Sequence, residues 1–344
     1  MHTNRSANWT RRELLRGVSA ATSAALLGLG TRSAAAEPPP ETRTIHLLHD
    51  PDVPVLCYAP QYLAKEFLHL EGFTDVRYNA YEDAITDSDV LVRGRADITA
   101  GLGSDFIYGI DSGAPIVILA GLHAGCTEMF ASDRVATIRD LAGKRVVISG
   151  QGGPEHVFLS SVVAYIGLDP VRDIEWVEEP NYGKWPAMLE QEKVDVVNAF
   201  PPQNLVLREK GIGHVILNTT LDDPWRHFFC CMIAARREFV EKHPVATKRA
   251  VRAFVKANQL CEADKELSAR LLVERGATDR YDHALKTLQE VPYGAWRSYE
   301  PRDTLRFFAL RLREAGLVKG TPNELIERGT DFRFIDELRR EMKV

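Results

Sequence analysis

The sharpest chemical feature of the sequence is a glycine turn. A strand-like run at 145–149 leads straight into Gly150-Gln151-Gly152-Gly153-Pro154, and a helical pattern begins at Glu155. Glycines between a buried strand and a helix leave backbone N–H groups open at the positive end of the helix, which suits a carboxylate, a sulfonate or another electronegative group. The same residues also make a plain strand-to-helix turn. His156 stands just inside that helix, where it either lines a cleft or packs. Pro154 fits the first helical position and Gly167 the C-terminal cap, so the element carries its own boundaries.

The remaining reactive residues form no constellation of their own. Five cysteines, at 57, 126, 230, 231 and 261, are an odd number without repeat spacing. There is no CxxC, no HExxH and no clustered Cys/His spacing, so neither a metal nor a cofactor is expected. Cys230 and Cys231 are neighbours on a strand-like run and point to opposite faces, which argues against a bond between them. No Ser/His/Asp order or carboxylate pair has a compelling local context, and no catalytic residue is assigned.

The whole chain has 344 residues, 45% hydrophobic and 26% charged, with net charge −5. That is a globular composition, long enough for two domains or one bilobed unit. Only residues 1–36 depart from it. Arg11 and Arg12 precede an apolar stretch of about 13 residues, Val18 to Gly30, that leads into Ala34-Ala35-Ala36, the order of a twin-arginine export signal with cleavage near Ala36. The stretch is too short for the roughly 20 residues of a membrane span. Removing 1–36 takes away five Arg and one Glu and leaves 38 basic and 47 acidic residues, a net charge of −9. Binding to nucleic acid or anionic lipid through a general field is excluded, and no membrane insertion of the mature chain is expected.

Past the leader, strands and helices alternate. Strands are expected at 44–48, 75–81, 96–100, 116–120, 145–149, 173–178, 194–200 and 214–218. Helices are expected at 59–72, 85–93, 104–112, 155–166, 185–192 and 203–210, with a helical turn at 138–144. The alternation predicts α/β layers with mostly parallel sheets. From about Phe239 the pattern is almost wholly helical, at 244–263, 265–275, 281–291, 302–314 and 331–343, with apolar spacing suited to packing on a preformed layer.

Several landmarks occur together in one order: Gly94-Arg95-Ala96-Asp97-Ile98 followed by Gly101 and Ser104, Gly113-Ala114-Pro115-Ile116-Val117, and IRDLAGKRVVI at 138–148 before the glycine turn. Gly167-Leu168-Asp169-Pro170, VDVVNAFPP at 194–202 and REFVEKHPVATKRAVRA at 237–253 complete the set. Together they resemble the NitT/TauT-type substrate-binding proteins of ABC importers for nitrate, taurine and alkanesulfonates. The resemblance implies a two-lobed type II periplasmic binding protein with a helical C-terminal extension packed on lobe one. Lobe one would be 44–125 plus 231–344 and lobe two 126–230, with crossings near 122–130 and 228–234. It also implies capture of a small molecule in the interlobe cleft, an ABC importer permease as partner and a periplasmic location.

Site residues follow from the same resemblance. His49, Asp50, Cys57 and Tyr58 lie after the first strand, where the family's first lobe meets ligand. Gly103 and Ser104 sit at another strand end, Ser104 serving equally as a helix cap. His123, Gly125 and Cys126 lie on the first crossing. Gly150, Gln151, Gly152, Gly153 and His156 form the second-lobe turn, although the family usually has a hydroxyl residue where Gln151 and Gly152 stand. Asn198 and Phe200 end a second-lobe strand, and Trp225 and Cys230 lie at the return. An aromatic, thiol-rich cleft with few cations points to an uncharged or weakly anionic, ring-bearing compound, while the family admits organic anions and sulfonates. Two other functions stand beside import. One is an enzyme related to the fungal thiamine-pyrimidine synthases, which carry a cysteine cluster near the position of Cys230-Cys231. The other is the ligand-binding component of a periplasmic sensor.

Overall fold

The computed structural model describes residues 37–343 except 52, 54, 83 and 85. The export signal expected at 1–36, with Arg11 and Arg12, lies outside the described residues.

The first lobe begins with β1 (Thr44–Leu48), α1 (Ala59–Leu70), β2 (Asp75–Asn79), α2 (Asp87–Val92), β3 (Ile98–Leu102), α3 (Gly103–Asp111) and β4 (Ile116–Ala124). The second comprises β5 (Glu128–Ala131), β6 (Lys144–Ile148), α4 (Pro154–Tyr165), β7 (Ile174–Glu178), α5 (Trp185–Glu190), β8 (Val196–Ala199), α6 (Gln203–Lys210) and β9 (His214–Asn218). The chain then returns to the first lobe through β10 (Phe229–Arg236). It ends in α7 (Arg237–Lys242), α8 (Pro244–Ala263), α9 (Lys265–Glu274), α10 (Tyr281–Glu290), α11 (Pro301–Glu314), α12 (Pro322–Gly329) and α13 (Arg333–Met342).

In the first lobe β1 and β2 pair in parallel, and β10 lies between β3 and β4, antiparallel to both. The five-stranded sheet of the second lobe runs β7-β6-β8-β5-β9, and β5 is antiparallel to β8 and β9. The expected mostly parallel pairing therefore breaks at β5 and β10. Both strands enter their sheet directly from the other lobe, without the helical crossover that makes neighbours parallel. β4 is buried along all nine residues, as its unbroken apolar run requires of a strand covered on both faces.

Helix α4 shows how sequence positions the site. Pro154 starts it without wasting a donor, and Gly167, at φ +85°, lets the chain leave through Gly167 N–H to Ala164 O (3.0 Å) and Leu168 N–H to Val163 O (3.1 Å). It is apolar nearly all round because it is covered nearly all round. One side meets the five-stranded sheet through Phe158, Leu159 and Val162, and another meets the C-terminal helices. Those helices pack on the first lobe, but α11 reaches further. Phe308 contacts Phe158 and Phe307 contacts Tyr165, with ring centroids 6.3 Å apart in each pair, while Phe307 stacks on Phe228 at 4.4 Å.

The lobes are joined at 125–127 and 219–228, and these crossings are tied together. Thr219 Oγ1 accepts from Cys126 N–H (3.1 Å) and Thr127 N–H (2.9 Å), and Thr219 N–H donates to Thr127 O (3.0 Å). Gly125 adopts φ +53°, and a Cβ there would lie 2.5 Å from Thr220 Cα, so glycine is required on both counts. No helix of the described residues is long and apolar enough to cross a membrane.

Candidate functional site

A cavity of about 430 Å³ opens between the lobes, within the range of small-molecule sites. The first lobe lines it with Asp50, Cys57, Tyr58, Tyr81 and Asp87. The second contributes Gly150, Gln151, Glu155, Tyr182 and Phe200, while Cys126 and Cys231 come from the crossing and the return strand. Among the described residues its lining includes four carboxylates, with Glu82, paired to Arg95, the fourth, and no Lys, Arg or His.

Two of those carboxylates face the cavity from the first turns of helices. Asp87 opens α2 and is buried; Tyr58 Oη–H and Tyr81 Oη–H donate to its two oxygens, each at 2.8 Å. Glu155 is the second residue of α4 and equally buried, accepting from Tyr182 Oη–H (2.7 Å) and Ser149 Oγ–H (2.8 Å). Behind Asp87, Asp105 in the first turn of α3 accepts from Ser88 N–H and Oγ–H, both at 3.1 Å. Helix N-termini and hydroxyl donors favour the ionised forms, yet burial and mutual repulsion outweigh them. Burial, with Asp105 alongside, pushes Asp87 up to about 7; burial pushes Asp105 up to about 6 and raises Glu155 above the usual carboxylate range. The site presents protons, or negative charge awaiting a counter-ion.

This weighs against the anion reading of the glycine turn. The positive end of α4 already holds a carboxylate of its own, Glu155. Two of the turn's four N–H groups are spent locally, Gly152 N–H on His156 Nδ1 (3.1 Å) and Gly153 N–H on Gly150 O (3.0 Å). Gly150 and Gln151 line the cavity, whereas Gly152 and Gly153 shape the turn behind it.

Of the other residues expected at the cleft, Asp50, Tyr58 and Phe200 line the cavity. Asp50 also accepts from Tyr81 N–H at 3.0 Å, holding the loop after β2 against that after β1. His49 instead packs on Tyr62 at 4.7 Å, and His156 on Trp176 at 4.9 Å. Trp225 packs on Tyr165 at 5.0 Å, beside the hinge. Gly103 lies against Met232, Ser104 is buried in the first turn of α3 and Asn198 is buried in β8. Gly125 serves the crossing. Cys230 is buried with its Sγ 3.4 Å from Cys126 Sγ, and His123 lies behind the floor. Sequence reasoning missed Tyr81, Asp87, Glu155 and Tyr182. An acidic residue directly after Gly-Pro at a helix start was the one available signal, and it reads equally as ordinary dipole compensation.

All five cysteines are unpaired and buried. Four of them gather at the cavity floor. Burial raises the thiols of Cys126 and Cys231; it would raise Cys57 too, but hydrogen bonds from Cys126 and Cys231 prevail and hold Cys57 below its ordinary value.

Beside the crossings the lobes meet through ions, and Arg208 also reaches Glu128 at the start of β5, at 3.2 Å. Arg208 of α6 makes two bonds to Glu290 of α10, at 3.0 and 2.7 Å, and Glu209 meets Arg280 at 3.1 Å and His283 at 2.9 Å. Leu56 N–H donates to Pro201 O at 2.9 Å, linking the lobes nearer the cavity.

Two α/β lobes joined by two crossings around a cavity define the periplasmic binding protein fold. Solved structures share it. The periplasmic nitrate-binding protein NrtA from Synechocystis PCC 6803 matches with a TM-score of 0.69 at 18% identity, over 89% of this chain and 90% of that one. The alkanesulfonate-binding protein SsuA from Xanthomonas axonopodis pv. citri, solved bound to MOPS, matches at 0.64 and 17%, over 87% and 100%. The desulfurization enzyme DSZB matches at 0.56 and 14%, over 87% and 99%. No curated protein matches the sequence. The chain belongs to the NMT1-like family, whose model matches residues 52–274.

Proposed function

We propose that this protein is an extracytoplasmic solute-binding protein, located in the periplasm, that captures a small ring-bearing molecule between its lobes and delivers it to the permease of an ABC importer. The nitrate and alkanesulfonate binders that share its fold support capture and delivery. The cavity lining supports a different cargo from theirs. Asp50, Asp87 and Glu155, with no Lys, Arg or His among the described lining residues, offer nitrate and sulfonate no cationic partner and favour a neutral or cationic compound; Glu82, the fourth lining carboxylate, is paired with Arg95. Tyr58, Tyr81, Tyr182 and Phe200 supply ring faces, and the raised carboxyls supply proton donors or, once ionised, partners for an amine or amidine.

That charge pattern carries the proposal. A thermal-shift screen of the purified protein against nitrate, methanesulfonate, MOPS, aminopyrimidines and aromatic amidines tests it. Stabilisation by the nitrogenous cations and not by the anions, with the hit recovered chemically unchanged, is the expected result. Stabilisation by the anions alone overturns the cargo assignment, and conversion of the hit to product overturns pure capture. Gly150→Leu locates the site. Gly150 lines the cavity with no neighbour within 4 Å of a built Cβ and without a positive φ, so the variant keeps its melting temperature and loses the ligand shift.

A further inference from the structure

The floor of the cavity brings together donors that lie far apart in the chain. Cys57 precedes α1, His123 is in β4, Cys126 is in the first crossing and Cys231 is in β10. Each offers one donor atom, and all four lie within 4.8 Å of one another. We propose that Cys57, His123, Cys126 and Cys231 form a site for one thiophilic divalent cation of the zinc class, seated beneath the cavity.

Geometry is the first support. Zinc–sulfur bonds of about 2.3 Å place tetrahedral sulfurs about 3.8 Å apart, so the four donors need to contract by no more than about 1 Å. Histidine is the second. His123 is fully buried, its Nδ1 is 2.9 Å from Gly125 O, and its Nε2 has no hydrogen-bond partner. A backbone carbonyl fixes the proton on Nδ1 and leaves Nε2 with a bare lone pair, the arrangement by which proteins orient an imidazole for a metal. Left alone, that nitrogen is a buried acceptor with nothing to accept.

The donor set selects the ion. Three sulfurs and an imidazole offer no oxygen, which excludes magnesium and calcium, and four-coordination by borderline-soft donors suits zinc. Zinc also offsets most of the charge that three buried thiolates would carry. Binding releases the protons of those thiols. Cys57, Cys126 and Cys231 line the cavity and His123 lies behind them, so the ion would be held from below with its sulfur side toward the cargo.

The inference is independent of the transport reading, since a metal titration requires no solute. Full-length protein, reduced with a phosphine and stripped with EDTA under anaerobic conditions, is titrated with Co²⁺. The expected result is a thiolate-to-cobalt charge-transfer band with intense tetrahedral d–d bands. These saturate at one equivalent, are bleached by Zn²⁺ and are unchanged in Cys261→Ser, whose thiol lies elsewhere in α8. Cys57→Ser, Cys126→Ser and Cys231→Ser each weaken the charge-transfer band by about a third or abolish it. Should those variants fail to fold, the wild-type spectrum decides alone. Absence of the band in folded, reduced wild type, its persistence unchanged in the serine variants, or uptake of copper(I) to the exclusion of cobalt and zinc would overturn the assignment.

Discussion

Replacing Asp87 with Asn should make the unliganded protein less stable in acid and more stable near neutrality. The carboxyl is held at about 7 by burial beside Asp105, against an ordinary 3.8. A carboxyl whose folded pKa is raised keeps a proton that the unfolded chain gives up, so folding loses stability as pH climbs from about 4 to about 7 and stays lower above that. Three units correspond to about 4 kcal/mol, an upper figure for a group that shares its charge with neighbours. Asparagine has no such loss. It keeps one acceptor oxygen but fails one of the two tyrosine hydroxyls, at a cost of about 1 kcal/mol at any pH. The variant should therefore be about 1 kcal/mol less stable at pH 4 and about 3 kcal/mol more stable at pH 8. Asp105, pushed up to about 6, is relieved of a like charge in the variant and shifts the balance the same way. For a chain this size the swing is about 5–8 °C in melting temperature. Calorimetry of both proteins from pH 4 to 8 measures it. A difference that does not change with pH would mean that the cavity is not the low-dielectric acidic site described above.

Other perturbations address closure and the hinge. Glu290→Gln removes one of the two carboxylates that Arg208 grips between the lobes, Glu128 being the other; Arg208 and Glu290 are about one-third exposed, so the discounted loss is about 1 kcal/mol. The dissociation constant of the screening hit should rise about fivefold at low salt and converge on wild type at high salt, as titration calorimetry would show; an effect indifferent to salt would deny the ionic clasp. Gly125→Ala meets both a left-handed φ and a backbone atom 2.5 Å away, and should cost about 3 kcal/mol. A melting temperature within a degree of wild type would show that the crossing can move aside.

What the sequence revealed and what it hid divide along physical lines. Strands such as β1 and β9, and helices such as α6 and α8, fall where periodicity places them because their apolar residues lie within one local run. β5, four residues long, has no such run; it was expected only as part of a crossing near 122–130, which hid its place between β8 and β9 in the five-stranded sheet. α12 was missed because its buried face rests on only Leu325 and Ile326. Among site residues, Tyr58, Gly150, Gln151 and Phe200 were reachable through strand ends. His49, His156 and Trp225 looked equally apt, but their rings find aromatic partners inside the lobes, and residue type alone does not say which way a ring turns. Asp87 and Glu155 hid in plain positions, since an acid in the first turn of a helix is ordinary until burial removes its water. The sulfur cluster was illegible for another reason: pattern searches look for neighbours in sequence, and these ligands become neighbours only after both crossings are made.

That last property sets the folded chain apart from the unfolded one in its exposure to oxidants. Cys57, Cys126 and Cys231 belong to three stretches of chain that meet only when the first lobe, the hinge and the return strand have all assembled, and until then each thiol is accessible to oxidants. In the folded protein every one of the five is shielded from bulk water. Reaching an oxidising compartment before folding would offer five exposed thiols to random cross-linking; reaching it afterwards offers almost none. Burial in the completed fold is thus what shields the thiols that the unfolded chain exposes.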